Sequence, residues 1–107
     1  RIENWELDTS LDNNILYGID MSRAFNYPNP FVNETIFRFF VGSSNTSRIK
    51  VYNAAGFLVD NIEMNNLHSH QYNEYVYITS KLTPGVYFAE IKSDKNESKL
   101  IKLLKKK

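Results

Sequence analysis

The residues best suited to chemistry are His68 and His70, the two histidines of the chain. Residues two apart on a strand share a face, so both imidazoles could bind a metal together with Asp60 or Glu63. No Gly-x-Ser-x-Gly motif and no identifiable nucleophile accompany them. We therefore expect exposed loop histidines, with no catalytic residue, no metal site and no cofactor.

Other recurrent reactive sites are missing from the sequence. There are no cysteines, which excludes a disulfide scaffold, a zinc finger and a thiol nucleophile. The four glycines, at positions 18, 42, 56 and 85, are isolated, so no glycine-rich loop could hold a nucleotide phosphate. The oxygen-rich stretch from Asp8 to Asn14 lacks the spacing of a calcium-binding loop. The composition thus favours a binding or structural module over an enzyme.

Positive charge is concentrated at the end of the chain. Residues 92–107 contain seven lysines against Asp94 and Glu97, although the whole chain has a net charge of +1. This segment has no arginine and no interleaved aromatic residue, so we expect no nucleic-acid partner. No apolar run is long enough for a transmembrane segment. The chain starts without Met, from which we expect a piece of a longer polypeptide with an upstream domain.

Tyr75 and Tyr77 are candidate binding residues because alternation places them on the strand face opposite Val76 and Ile78. Exposed there, the two rings could stack on a sugar or on a partner's side chain. The alternative, which we favour, is that the tyrosines lie under a neighbouring strand or form cross-strand pairs.

The dominant pattern is period-two alternation of apolar and polar residues between turn signals, with no helical periodicity. In one segment Thr35, Phe37, Phe39 and Val41 share a face. Gly56 and the pair Pro84-Gly85, a type II turn signal, mark reversals. The pattern predicts an all-β, immunoglobulin-like antiparallel β-sandwich of about seven strands. The alternating segments are residues 15–19, 35–41, 49–51, 57–62, 72–79, 86–92 and 99–104.

Four ordered blocks resemble a known family. They are Asn26-Tyr27-Pro28-Asn29-Pro30-Phe31, the hairpin from Lys50 to Val59, the segment from Leu82 to Ile91, and the ending Ser98 to Lys102. Together they resemble the C-terminal sorting domain of type IX secretion, which is akin to immunoglobulin-like domains of flagellar hook-capping proteins. The residues that carry the motifs, all of which could be structural, are Pro28, Asn29, Pro30, Phe31, Val51, Tyr52, Gly56, Gly85, Val86 and Tyr87.

The resemblance implies a function and a location. It implies a non-catalytic C-terminal module of a larger secreted bacterial protein, recognised by secretion machinery at the outer membrane after passage through the periplasm. The cargo would be secreted or held at the cell surface. On this view residues 23–107 form the sorting domain, and residues 1–22 are a linker or leading strand from a preceding module.

We expect the receptor to use the exposed face and the last strand, whose edge and charges are accessible. The alternative function is a carbohydrate-binding or structural accessory module, suggested by Tyr75, Tyr77 and Trp5. The residues that we predict for recognition are Lys99, Lys102, Lys105, Lys106, Lys107, Tyr75 and Tyr77.

Overall fold

The computed structural model describes residues 18–107. Within this range the chain forms seven β-strands and no helix, so no helix there could cross a membrane. The strands are β1 (Ile19–Tyr27), β2 (Glu34–Val41), β3 (Ser47–Asn53), β4 (Leu58–Met64), β5 (Gln71–Ile78), β6 (Gly85–Ser93) and β7 (Ser98–Lys105).

The strands form two antiparallel sheets. One has three strands in the order β1-β2-β5, and the other has four in the order β4-β3-β6-β7. Lettered in chain order as A, B, C, C′, E, F and G, the sheets are A-B-E and C′-C-F-G, an immunoglobulin-like arrangement. The predicted all-β sandwich of about seven strands is confirmed.

The core lies between the two sheets and is made by alternate residues of each strand. On β2, Phe37 and Phe39 are fully buried, and they face Ile49 and Val51 of β3, which are also fully buried. Burial of these side chains contributes about 1.5–3 kcal/mol each. The inward face that alternation predicts for residues 35–41 is confirmed.

The two predicted reversals differ in the structure. At the tip of the β3–β4 hairpin Gly56 has a φ of 90°, and the side chain of Asn53 accepts hydrogen bonds from the amides of Ala55 and Phe57. Between β5 and β6 the tight turn is earlier than predicted, because the amide of Leu82 bonds to the carbonyl of Thr79. Gly85 therefore opens β6, with a φ of 153°, instead of occupying a type II turn.

The first strand, β1, is interrupted by an irregularity between Asp20 and Ala24, which are adjacent steps in its pairing with β2. The carboxylate of Asp20 fills this bulge by accepting bonds from Ser22 and from the guanidinium of Arg23. The Ser22 hydrogen bond is the main reason that the pKa of Asp20 is lowered. β1 thus runs across the predicted boundary at residue 22, and the predictions for Trp5 and for residues 8–14 lie outside the described residues.

Candidate functional site

The last strand, β7, is an edge of the four-stranded sheet and pairs with β6. Its side chains alternate, so that Leu103 is fully buried in the core whereas Leu100 is 63% exposed and Leu104 points outward as well. On the neighbouring strand Phe88 lies opposite Lys102. We call the exposed side chains of Leu100, Lys102 and Leu104, together with the partly buried Phe88, the last-strand surface.

The predicted recognition lysines fall into two groups. Lys102, Lys106 and Lys107 are exposed. Lys99 is partly buried and its Nζ donates to the carbonyl of Ala24 on β1 at 2.9 Å. The amine of Lys99, on the inward face of β7, thus bonds to a main-chain carbonyl of the opposite sheet.

For Lys105 the prediction of an accessible charge is wrong, because its side chain is only 9% exposed. Its Nζ donates to the carbonyl of Val32 and to the hydroxyl of Thr79, the latter at 3.3 Å. Strand alternation turns Lys105 to the same side as Leu103. Lys105 therefore closes one end of the core and is not available to a receptor.

The free edge of β7 is partly covered by the segment that links β1 to β2. The side chain of Asn29 donates to the carbonyl of Lys102 at 2.9 Å and accepts from the amide of Leu104 at 3.0 Å. The main chain of Phe31 then bonds to the carbonyl of Leu104 and the amide of Lys106. We call Asn29 and Phe31 the edge cap. The accessible edge predicted for residues 99–107 is thus occupied from Lys102 to Lys106.

The loops at the opposite end of the sandwich are held by the two carboxylates of the β6–β7 hairpin. Glu97 accepts from the amides of Gly18 and Ile19, each at 2.9 Å. The chain approaches closely there, since a Cβ on Gly18 would lie 2.2 Å from the hydroxyl oxygen of Ser44. The hairpin predicted for residues 93–97 therefore also fixes the start of β1.

Asp94 is the second of these carboxylates and accepts from the Ser44 hydroxyl at 2.7 Å and from the amides of Asn45 and Thr46. Burial acts to raise its pKa, but these three hydrogen bonds outweigh burial, and the pKa is lowered overall. A carboxylate that is bonded in this way favours its charged form.

The predicted sugar-stacking pair does not form on the surface. Tyr77 is 3% exposed and packs against Phe37 with ring centroids 5.8 Å apart, whereas Val76 and Ile78 face solvent. Burial, and secondarily the nearby charge of Asp60, raises the pKa of the Tyr77 hydroxyl. Tyr75 is partly buried beside the same core. The prediction that the pair forms an exposed aromatic surface is wrong for Tyr77. The favoured alternative, that the tyrosines lie under a neighbouring strand or form cross-strand pairs, fits the contact of Tyr77 with Phe37 on the paired strand.

His68 and His70 lie in the loop before β5, and both are exposed. The side chain of Asn73 bonds to the amide and the carbonyl of His68, so this loop is held by an amide side chain. Among residues 18–107 no group of three or more histidine and carboxylate side chains is arranged to hold a metal ion.

A family model described as the secretion system C-terminal sorting domain matches residues 26–106, most of the chain. The chain belongs to this family. The sorting domain is a non-catalytic module of type IX secretion that interacts with the secretion machinery, and it marks proteins for export to the cell surface or for release.

The fold of the sorting domain also has a solved counterpart. It is similar to the crystal structure of dimeric latent PorU from Porphyromonas gingivalis, with a TM-score of 0.60 and 15% sequence identity. The similarity covers 78% of this chain but 9% of that one. At this identity the likeness shows the shared fold alone. No curated protein sequence matches the chain.

Several of the motif residues have structural roles in the sorting domain. Near the start of β6, the hydroxyl of Tyr87 donates to the carbonyl of Thr83 at 2.7 Å. This i to i−4 contact is a tyrosine corner, a hallmark of immunoglobulin-like sandwiches. Val51 is fully buried, while Tyr52 and Val86 are partly exposed on the outer face of the same sheet. Pro28 and Pro30, each preceded by a cis peptide bond, flank Asn29 of the edge cap.

The outer face of the three-stranded sheet contains a polar network that the sequence did not reveal. The carboxylate of Glu74 accepts from the guanidinium of Arg38 at 2.6 Å and from the hydroxyl of Tyr27 at 3.0 Å. The Arg38 bond is the main cause of the lowered pKa of Glu74. Arg38 also lies 4.1 Å above the ring of Tyr72. The sequence indicated this network only by a charged residue on each of β2 and β5. It does not show which residues of the two strands lie opposite each other.

Proposed function

We propose that the sorting domain is the C-terminal module of a larger secreted polypeptide, and that outer-membrane machinery of type IX secretion recognises it by the last-strand surface. The main support is that β7, which lies within the residues matched by the family, has large apolar side chains outside the core. Leu100 is the clearest case, at 63% exposure. Residues 1–22 would then be the linker or leading strand from the preceding domain, and the periplasm would be the compartment from which the module is recognised.

The exposed residues of β7 suit recognition better than the motif residues do. Phe31 and Val51 are buried and Asn29 is engaged with β7, so a receptor has limited access to them. In contrast, Leu100 and Leu104 flank Lys102 along one strand face, which combines apolar area with a positive charge. Interfaces derive most of their binding energy from a few such apolar or cationic anchors.

Strand addition offers a second contact to the same receptor. The edge cap occupies the edge of β7 from Lys102 onward, but among the described residues no hydrogen bond is made to the edge at Leu100. An extended segment of a receptor could therefore pair with β7 before the cap begins. The short length of this open edge explains why side chains of the last-strand surface would be needed for affinity.

The test is export of a reporter fused to residues 1–107 in a type IX-competent host. The wild-type fusion should reach the cell surface or the medium, and the double variant Leu100→Asp with Lys102→Glu should remain in the periplasm. Leu58→Asp is the matched control, because Leu58 is 52% exposed on β4 at the far edge of the same sheet. Retention of the wild-type fusion would refute the sorting function. Export of the double variant would instead refute this surface as the recognition site.

A further inference from the structure

A polar groove lies on the outer face of the four-stranded sheet, towards the β6–β7 hairpin and beyond the last-strand surface. It has a volume of about 410 Å³, and its cationic lining residues are Arg48, Lys50 and Lys92. We call it the β3–β6 groove. Nothing in the sorting function proposed above requires it.

The three cations come from two adjacent strands and share one face. Arg48 of β3 is directly opposite Lys92 of β6 in the strand register. Lys50 follows Arg48 by two residues, so strand alternation places it on the same outer face. Like charges directly opposite each other destabilise a sheet. Arg48 and Lys92 therefore repel each other across this strand pair.

The acidic residues of the groove leave much of this charge uncompensated. Glu63 pairs with one terminal nitrogen of Arg48, whose guanidinium has further donors. Both oxygens of Asp94 are already used by a hydroxyl and two amides of the loop before β3. Lys50 lies opposite Glu90 in the strand register, but within residues 18–107 neither Lys50 nor Lys92 forms an ion pair.

We propose that the β3–β6 groove binds a phosphate monoester group. Such a group carries a charge of about −1.5 to −2 at neutral pH and has three strong acceptor oxygens, which suits three converging cations. The planar fork of Arg48 can bind two of these oxygens, while Lys50 and Lys92 act as point charges. Free ligands and lipid headgroups both present this chemistry.

Two binding measurements on the 107-residue chain separate these sources. In the first, amide resonances are followed by NMR during titration with inorganic phosphate. In the second, the chain is sedimented with phosphatidylcholine vesicles that contain or lack phosphatidic acid. Each measurement compares three proteins. They are the wild type, the groove variant that combines Lys50→Gln with Lys92→Gln, and the control variant that combines Lys106→Gln with Lys107→Gln. The control removes the same charge from exposed residues outside the groove, and circular dichroism verifies that all three are folded.

We expect saturable shifts at Thr46, Arg48 and Lys92, with affinity reduced at least about tenfold in the groove variant, equivalent to about 1.4 kcal/mol. The control variant should bind as the wild type does. Binding of phosphatidic acid vesicles alone, lost in the groove variant, would assign the phosphate to a lipid headgroup. The proposal would be overturned if neither inorganic phosphate nor phosphatidic acid vesicles bind saturably. It would also be overturned if the control variant loses as much affinity as the groove variant.

Discussion

The side-chain oxygen of Asn29 accepts a hydrogen bond from the backbone amide of Leu104 at 3.0 Å. The amide group of the same side chain donates to the carbonyl of Lys102, two residues earlier. One side chain thus satisfies a donor and an acceptor that a neighbouring strand would otherwise pair with. Because unpaired strand edges promote association between chains, this contact protects the edge of β7 between Lys102 and Leu104.

Replacement of Asn29 by Ala should remove both contacts to β7. A typical hydrogen bond contributes about 0.5–1.5 kcal/mol, so we expect Asn29→Ala to lower the free energy of unfolding by about 1–2 kcal/mol. The amide of Leu104 should also exchange faster with solvent, which hydrogen exchange monitored by NMR would measure. The control is Asn61→Ala, at an exposed asparagine of β4. Unchanged exchange at Leu104 would contradict the proposed protection of the edge.

The tyrosine corner gives a second prediction. Tyr87→Phe retains the ring but removes the hydroxyl by which this buried side chain bonds to the carbonyl of Thr83. We expect a loss of about 1–2 kcal/mol in the free energy of unfolding, measured by urea denaturation. Tyr52→Phe, at a partly exposed tyrosine of the same sheet, should change stability by less than about 0.5 kcal/mol. Equal effects of the two changes would argue against a special role for the corner.

Lys105 and Lys106 are neighbours in sequence with opposite environments. Lys105→Ala removes a buried side chain and its bonds to Val32 and Thr79, so it should destabilise the fold by about 1–3 kcal/mol. Lys106→Ala should have an effect below about 0.5 kcal/mol, since that side chain is exposed. Thermal unfolding of both variants tests the contrast, and a neutral Lys105→Ala would show that its amine does not stabilise the core.

The carboxylate of Asp94 should make stability depend on pH in the acid range. Its pKa in the folded state is below the ordinary value of 3.8, so its contribution is complete above that value. The contribution is lost as the pH falls through the folded-state pKa. Asp94→Asn should therefore reduce stability near neutral pH, by less than about 1 kcal/mol at this exposed site, and the difference should vanish in strong acid. Denaturant unfolding from pH 7 to pH 2 measures this, and an equal pH-dependent loss of stability in Glu34→Gln, at the exposed first residue of β2, would contradict the prediction.

Strand alternation predicted which residues share a face, but it did not always identify the inward face. On β2 the apolar residues are concentrated on one side, so Phe37 and Phe39 could be placed in the core. On β5 both sides are apolar, because Tyr75 and Tyr77 alternate with Val76 and Ile78. Which side faces inward is decided by packing against the second sheet, and here the larger aromatic rings occupy the interior.

Contacts between distant segments of the chain could not be predicted from the sequence. Asn29 and Leu104 are 75 residues apart, and nothing local indicates that an asparagine between two prolines will pair with the last strand. The buried position of Lys105 did have a signal, since it lies two residues after Leu103 and four after Ile101 on one strand face. Because Lys105 is charged, we placed it on the surface although this pattern predicts an inward position.

The bonds from Gly18 and Ile19 to Glu97 have a consequence for the order of folding. These partners are separated by 79 and 78 positions, so the two hydrogen bonds at the start of β1 cannot form until the last hairpin exists. Contacts of such long range form slowly, because a large loop must close first. A ribosome or a membrane pore that delivers this chain from its amino end would therefore release residues 18–97 before these bonds can form, and the incomplete sandwich would expose apolar surface that is prone to aggregation during that interval.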